Sequence, residues 1–356
     1  MSNVIQSYTS WQPLEEVIVG RVCTPLYFEH IKDKKVRSQI SRILDETAED
    51  LDNLCNVIAQ YGAVVRRPTL PDISSWYKTL SMYNEVPIPP LTPRDWQISL
   101  GEKLLRVLNV PEMDELCNEY ERNSPGCIID PHKPDMSIDW YKMSPYDSKH
   151  VMANAVASCI VRCGTDIFFD HSEWLTEDQM YWIRDNVLDS RYRVHRCQTN
   201  GHGDSVFAIL KPGVIISSMH DADINYKESF PGWEVCKVWD PTIFAAMEVG
   251  KFKYETFNDR WYVQGHETTP EFANYVDTWL NKWTGYVKET VFDVNCLVLD
   301  ESHVIFSSYN KDVFDFCKRH GIEPIISELR HKYFFDGGIS CCTQDVRRRG
   351  GLETYL

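Results

Sequence analysis

The clearest periodic signal lies between Lys35 and Tyr61, where Leu44, Ala48, Leu51, Leu54 and Ile58 recur at helical spacing and acidic residues fill the opposite face. This pattern predicts an amphipathic surface helix. Before it, Leu14 to Gly20 (LEEVIVG) reads as a short strand, and after Gly62 the run Ala63 to Arg67 (AVVRR) reads as its return before Pro68. Together they form one β-α-β unit. Residues 69–94 are rich in proline and turn formers and are expected to be a loop. Beyond them one outline recurs. Trp96–Val107, Cys159–Asp170, Val206–Ser218 and Asn295–Ser308 each pair two apolar runs across a short turn carrying Gly or Asp. Helical stretches separate these hairpins: Met113–Arg122, Glu177–Val187, Pro270–Lys282 and Asp312–Arg319. The spacing is too uneven for a solenoid. Hairpin-plus-helix units repeated in one chain suggest an α/β protein closed into a propeller-like ring, a single domain over 1–356. Residues 108–154 and 221–268 read as irregular, aromatic insertions of the kind that form lids or binding loops.

Composition narrows the function. With 43% hydrophobic residues among 356, the chain can bury a large core. Its 37 basic against 52 acidic residues leave a net charge of −15, which repels phosphate backbones and disfavours nucleic acid as a partner. No run reaches the roughly 20 apolar residues of a membrane helix, and residues 1–11 lack a basic and then apolar leader pattern. Twelve cysteines without a disulfide rhythm fit a reducing compartment, so a cytoplasmic protein is expected. His195, Cys197 and His202 come nearest to a metal cluster but lack a fourth ligand at an evident distance, and no metal is expected.

Three short stretches could carry chemistry. Near the C-terminus, Gly337 and Gly338 precede Cys341 and Cys342, and a thiol beside such a step suits a nucleophile. Read alone, both cysteines are equally small core residues. Asp95, in Thr92-Pro93-Arg94-Asp95, stands ahead of a strand where a carboxylate can face a cavity or cap a turn. His202 lies between two glycines, with Asp204 two residues on and on the same side if the chain is extended. Alone, it reads as a solvated histidine in a glycine-rich turn. Jointly, two carboxylates, an imidazole and a thiol describe a guanidinium site. The carboxylates would hold the cation, the thiolate attack its carbon and the imidazole move protons.

The ending Gly337-Gly338-x-x-Cys341-x-Thr343-x-Asp345-Val346-Arg347-Arg348-Arg349-Gly350 resembles that of the arginine:glycine amidinotransferases and their relatives in natural-product pathways. Further matches run along the chain: Trp11-x-Pro13 to Arg21, Arg66-Arg67-Pro68, Pro93-Arg94-Asp95, Lys133-Pro134-x-Met136, Tyr192 to His195, His202-x-Asp204 and Asn295-x-Leu297-x-Leu299-Asp300-Glu301. The resemblance implies a five-bladed α/β-propeller, the pentein fold, and a ping-pong transfer of an amidino group from a guanidino donor, usually arginine, to an amine acceptor. It gives Cys341 the role of nucleophile and His202 that of acid–base. Asp95 and Asp204 would grip the guanidinium, with Arg94 and Met136 beside the substrate. It implies no metal and no organic cofactor, small-molecule partners only, and a homodimer as in many relatives. The alternatives are a guanidino hydrolase or deiminase, and an altered member that binds a guanidino ligand without turning it over.

Several positions depart from the family pattern. The acidic residue that orients the histidine falls on Val156 and a second acidic position on Cys159, with Asn154 and Ser158 the nearest polar side chains. Ser340 stands where a histidine is common, and Gln344 where a second cysteine is common. The arginine that clamps the donor carboxylate falls near Asp221, and a serine of that subsite near Glu289. Carboxylates there would repel an α-carboxylate and welcome an amine, so a substrate lacking a carboxylate or bearing an extra amine is expected.

Overall fold

The computed structural model describes residues 4–133, 140, 156–170, 175–197, 202–218, 224–238, 261–263, 269–284 and 292–356. The periodic segment is a helix, Lys34–Gln60, capped by the Asp33 carboxylate, which accepts from the amides of Lys35 and Val36. Ile40, Ile43, Leu44, Leu51, Leu54 and Ile58 form its buried stripe. Gly62, at φ +85°, ends it in the left-handed conformation that glycine adopts without strain. The flanking strands β1 (Leu14–Val19) and β2 (Val64–Arg66) pair in parallel, Glu16 opposite Val64, as a β-α-β unit requires.

All four sequence-predicted hairpins are present: β3 (Gln97–Leu100) with β4 (Lys103–Arg106), β6 (Ile160–Cys163) with β7 (Asp166–Asp170), β9 (Phe207–Lys211) with β10 (Val214–Ser217), and β12 (Leu297–Asp300) with β13 (His303–Phe306). Each gains a third, parallel strand: β5 (Ile128–Ile129), β8 (Arg193–Cys197), β11 (Glu234–Lys237) and β14 (Glu323–Ile326). The fifth sheet joins chain ends, because β15 (Thr343–Arg348) lies antiparallel on β1, with β2 beyond it. The protein is thus α/β, with five three-stranded sheets among the described residues.

All three segments expected to be loops or irregular insertions contain regular structure. Within residues 69–94, Ile73–Tyr83 is a helix capped by Asp72 and anchored by buried Trp76, and Pro93–Trp96 forms a helical turn. The flanking prolines drew the reading toward a loop, although Asp72 before Ile73 is a helix start signal. Within 221–268, Tyr226–Ser229 is helical and β11 extends the third sheet, whereas 239–260 lie outside the described residues. Residues 108–154 contain a helix, Asp114–Asn123, and the short β5.

The charged C-terminal run is not a solvated tail. Asp345 is buried and both of its carboxylate oxygens accept from the Arg162 guanidinium, at 2.8 and 2.7 Å. Arg348 Nε donates to it at 2.7 Å, Ser7 Oγ at 2.7 Å, and Arg94 Nη2 stands 3.4 Å away. Arg162 also donates to the Ser99 carbonyl at 2.9 Å, and Arg348 to that of Gln12 at 2.7 Å. These three cations hold the Asp345 carboxyl well below the usual carboxylate range despite burial, which opposes them. The hub ties β15 to β6, to β3 and to the segment before β1. Asp345→Asn removes the shared anion and leaves three guanidinium groups facing one another. The expected loss is about 3–5 kcal/mol of unfolding free energy, measurable by urea denaturation. Because the folded pKa is depressed, the native contribution of this carboxylate is complete above about pH 4 and is lost as pH falls further.

Candidate active site

One-turn helical segments lead directly into the first strands of three hairpins: Pro93–Trp96 before β3, Val156–Cys159 before β6 and Gly203–Val206 before β9. A fourth turn leads into β15, where the Cys342 amide donates to the Gly338 carbonyl and that of Thr343 to Ser340. The first turn packs against the second and against β15, and the second packs against the third. Asp95, Ser158, Asp204 and Cys341 ride on these turns, and His202 sits at the N-cap of the third. Asp95 is therefore in a helical turn and not at a loop–strand junction. Asp204 likewise follows His202 in the first turn of a helix and not along extended chain.

These side chains converge. His202 Nδ1 lies 3.8 Å from Asp95 Oδ1. Burial foremost, with the Asp204 charge adding to it, lifts the Asp95 carboxyl to about 6, while His202 and hydrogen bonds from Thr92 and Ser158 pull the other way. Asp204 Oδ2 accepts from Ser340 Oγ at 2.7 Å and stands 3.8 Å from Arg94 Nε. The Cys341 thiol is pushed well above its ordinary range by burial first, then by the charges of Asp204 and Asp95. Both carboxylates are thus close enough to act on the sulfur.

The adjacent cysteines part company. Both are 2% exposed, but Cys342 packs into an apolar cluster with Val19, Leu91, Phe335 and Ile339, whereas Cys341 faces the polar groups. The glycines before them also differ. Gly337 would place a Cβ 3.3 Å from Thr92 Cγ2, and at Gly338 a Cβ would fall 2.3 Å from Asn295 Oδ1. The left-handed residue of this stretch is Asp336, at φ +50°. Close approach of a neighbouring side chain, and not a bend, accounts for Gly338.

Arg94 points inward. Its guanidinium bonds Gln344 Oε1 at 3.2 Å and lies between Asp204 and Asp345, and its amide bonds the Cys341 carbonyl at 3.3 Å. An adjoining cavity is walled by Arg94, Asp204, Ser340, Cys296, Arg162 and Arg348, and neither Cys341 nor Asp95 is part of its lining. Met136, Asp221 and Glu289 lie outside the described residues, as does Asn154. Val156 and Cys159 are fully buried. His195, weighed with Cys197 and His202 as metal ligands, stacks on Phe168 and lies 2.6 Å from Asp166.

The chain is 24% identical over 396 residues to the mitochondrial glycine amidinotransferase of Gallus gallus, with 98% of this chain and 84% of that protein covered. Among solved structures, inosamine-phosphate amidinotransferase from Streptomyces griseus superposes with a TM-score of 0.67 at 21% identity, covering 99% of both chains. Over nearly its whole length the chain is thus similar to amidinotransferases. An amidinotransferase of the saxitoxin biosynthetic pathway from Microseira wollei gives the same TM-score, 0.67, at 19% identity and 99% coverage of both. No protein-family model matches the sequence. Among the described residues, no helix is long and apolar enough to cross a membrane, and no group of three or more His, Cys, Asp or Glu could hold a metal ion.

Three contributors escaped the sequence reading: the Ser340–Asp204 bond, the Ser158 contact to Asp95, and the amide of Asn295 against the sulfur. Their shared signal is position, each standing at the entry to an edge strand of a sheet.

The raised Asp95 pKa has a binding consequence. Below about pH 6 a guanidinium must displace a proton from Asp95, so its affinity is expected to rise through that pH and then level off. Calorimetric titration with guanidinium ion from about pH 5 to about pH 8 reads this directly. Asp95→Asn is expected to flatten the profile and weaken binding about tenfold.

Proposed function

We propose that this protein transfers an amidino group from a guanidino donor to an amine acceptor through a covalent intermediate on Cys341. The observation that carries the reading is Asp95, which lies beside His202 and close enough to Asp204 and Cys341 for their charges to interact. Acidic walls suit a flat cation, which would reverse the charge environment that now disfavours the thiolate. In the first half-reaction the Cys341 thiolate attacks the guanidinium carbon. The bond from that carbon to the departing amine breaks, and His202 supplies the proton the amine needs. In the second half, His202 takes a proton from the incoming amine, which attacks the amidino carbon and releases the thiolate. Asp95 and Asp204 hold the cation, and Ser340 and Arg94 fix the orientation of Asp204. With Val156 at the family's usual acidic position, Asp95 is the carboxylate we assign to His202.

We read the five sheets as blades of one closed propeller. Support comes from contacts between units: β15 with β3, Pro93–Trp96 with Val156–Cys159, that turn with Gly203–Val206, the helix Lys311–Arg319 with β11, and Asn295 with Cys341. We assign Asp221 and Glu289 to the donor subsite and expect a donor without an α-carboxylate or with a second amine. We assign Met136 to substrate binding as well. All twelve cysteines are free thiols, which supports a cytoplasmic location.

Incubation with arginine or agmatine, followed by intact mass analysis, tests the reading. An amidino adduct that amines capture faster than water does supports the transferase. Rapid hydrolysis to a ureido product indicates a deiminase instead, and ligand binding without an adduct indicates a silent member. Cys341→Ala is expected to abolish the adduct and cut turnover by about a thousandfold or more, whereas Cys342→Ala is expected to retain the adduct.

A further inference from the structure

The fourth unit places its own residue in the site. Asn295, fully buried just ahead of β12, donates from Nδ2 to Cys341 Sγ at 3.1 Å. Its Oδ1 accepts from the Ser340 amide at 2.7 Å and from the Cys341 amide at 3.4 Å. The two backbone donors settle which way the side-chain amide faces: turned over, its NH2 would meet two N–H groups and its oxygen would face the sulfur. The side chain also rests on the bare Gly338 backbone, where any Cβ would come within 2.3 Å of Oδ1. Oxygen and nitrogen are thus both committed, one to the nucleophile's backbone and the other to its sulfur.

We propose that Asn295 is a catalytic residue that holds the Cys341 turn in place and stabilises the attacking thiolate by direct hydrogen bonding. The proposal rests on the reading of Cys341 as nucleophile. The physical need is evident from the groups facing the sulfur: Asp95 from the first turn, Asp204 from the third and Cys342 from its own turn, each of which disfavours a negative charge there. Relief by a lysine or arginine would place a resident cation in the seat the guanidinium must take. A neutral amide donor favours thiolate over thiol, because hydrogen bonds to ionised acceptors are the stronger kind, and it does not compete with the substrate. Gly338 is then the residue that makes room for this donor.

The test is the pH dependence of Cys341 alkylation by iodoacetamide, followed by peptide fragmentation that separates Cys341 from Cys342. Asn295→Ala removes both contacts without adding an atom, and Gly338→Ala displaces the intact asparagine. Each variant that melts cooperatively is expected to shift the alkylation midpoint upward by about one to two pH units. An unchanged midpoint in any cooperatively folded variant overturns the proposal. The readout requires no guanidino substrate. If wild-type protein forms no adduct with any donor while the midpoint still shifts, the transferase reading fails and the Asn295–sulfur interaction stands.

Discussion

The structure depends on one buried anion shared among three arginines. Asp345 is 1% exposed, and Arg162, Arg348 and Arg94 reach it from different parts of the chain. Fully desolvated charges are costly, and such a cluster persists only where the partners and the remaining hydrogen-bond sites are all satisfied. Here Ser7, Ser99 and the Gln12 carbonyl complete it. Asp345 follows Cys341 by four residues on a continuous path from turn to strand. The hub therefore fixes the strand that carries the thiol. Arg94 connects the two levels, bonded below to Asp345 and Gln344 and facing Asp204 above.

Above that hub the site is assembled from strand entries. The turns before β3, β6, β9 and β15 and the residue before β12 bring together two carboxylates, two hydroxyls, an imidazole, a thiol and an amide. A helical turn running into an edge-paired strand gives each side chain a rigid base, since backbone hydrogen bonds hold both sides of it. The construction also distributes responsibility. In the turn that carries the apolar Val156, Ser158 reaches Asp95, and Asp95 itself stands beside His202. The charges of Asp95 and Asp204 then bear on the sulfur, so a bound cation would lower the Asp95 and Cys341 pKa values together.

Much of the architecture was legible because the hairpins alternate apolar runs with Gly- or Asp-bearing turns, and because Lys34–Gln60 presents a complete apolar stripe. The helix Ile73–Tyr83 was not, since prolines on both sides outweighed its Asp72 cap. Nor was β11, four half-exposed residues lacking the alternation of a paired surface. For the site, residue types were legible and geometry was not. The Gly-Gly step drew attention to the thiol beside it, whereas Gly338 accommodates the Asn295 side chain and Asp336 takes the left-handed turn. The run Asp345 to Arg349 looks like surface charge in one dimension. Only pairing with residues hundreds of positions away makes Asp345 and Arg348 interior groups.

The β1–β15 ladder joins Leu14 to Arg348 and Val19 to Thr343, so one edge of an early strand waits for one of the last. Contacts of such sequence separation close late and slowly, because the loop entropy is lost before they form. During synthesis β1 can pair with β2 as soon as β2 emerges, but its other edge stays open until β15 follows. The Cys341 thiol arrives with that strand. A nascent chain without β15 therefore also lacks Cys341, and its unpaired β1 edge is the place where such chains would associate with one another.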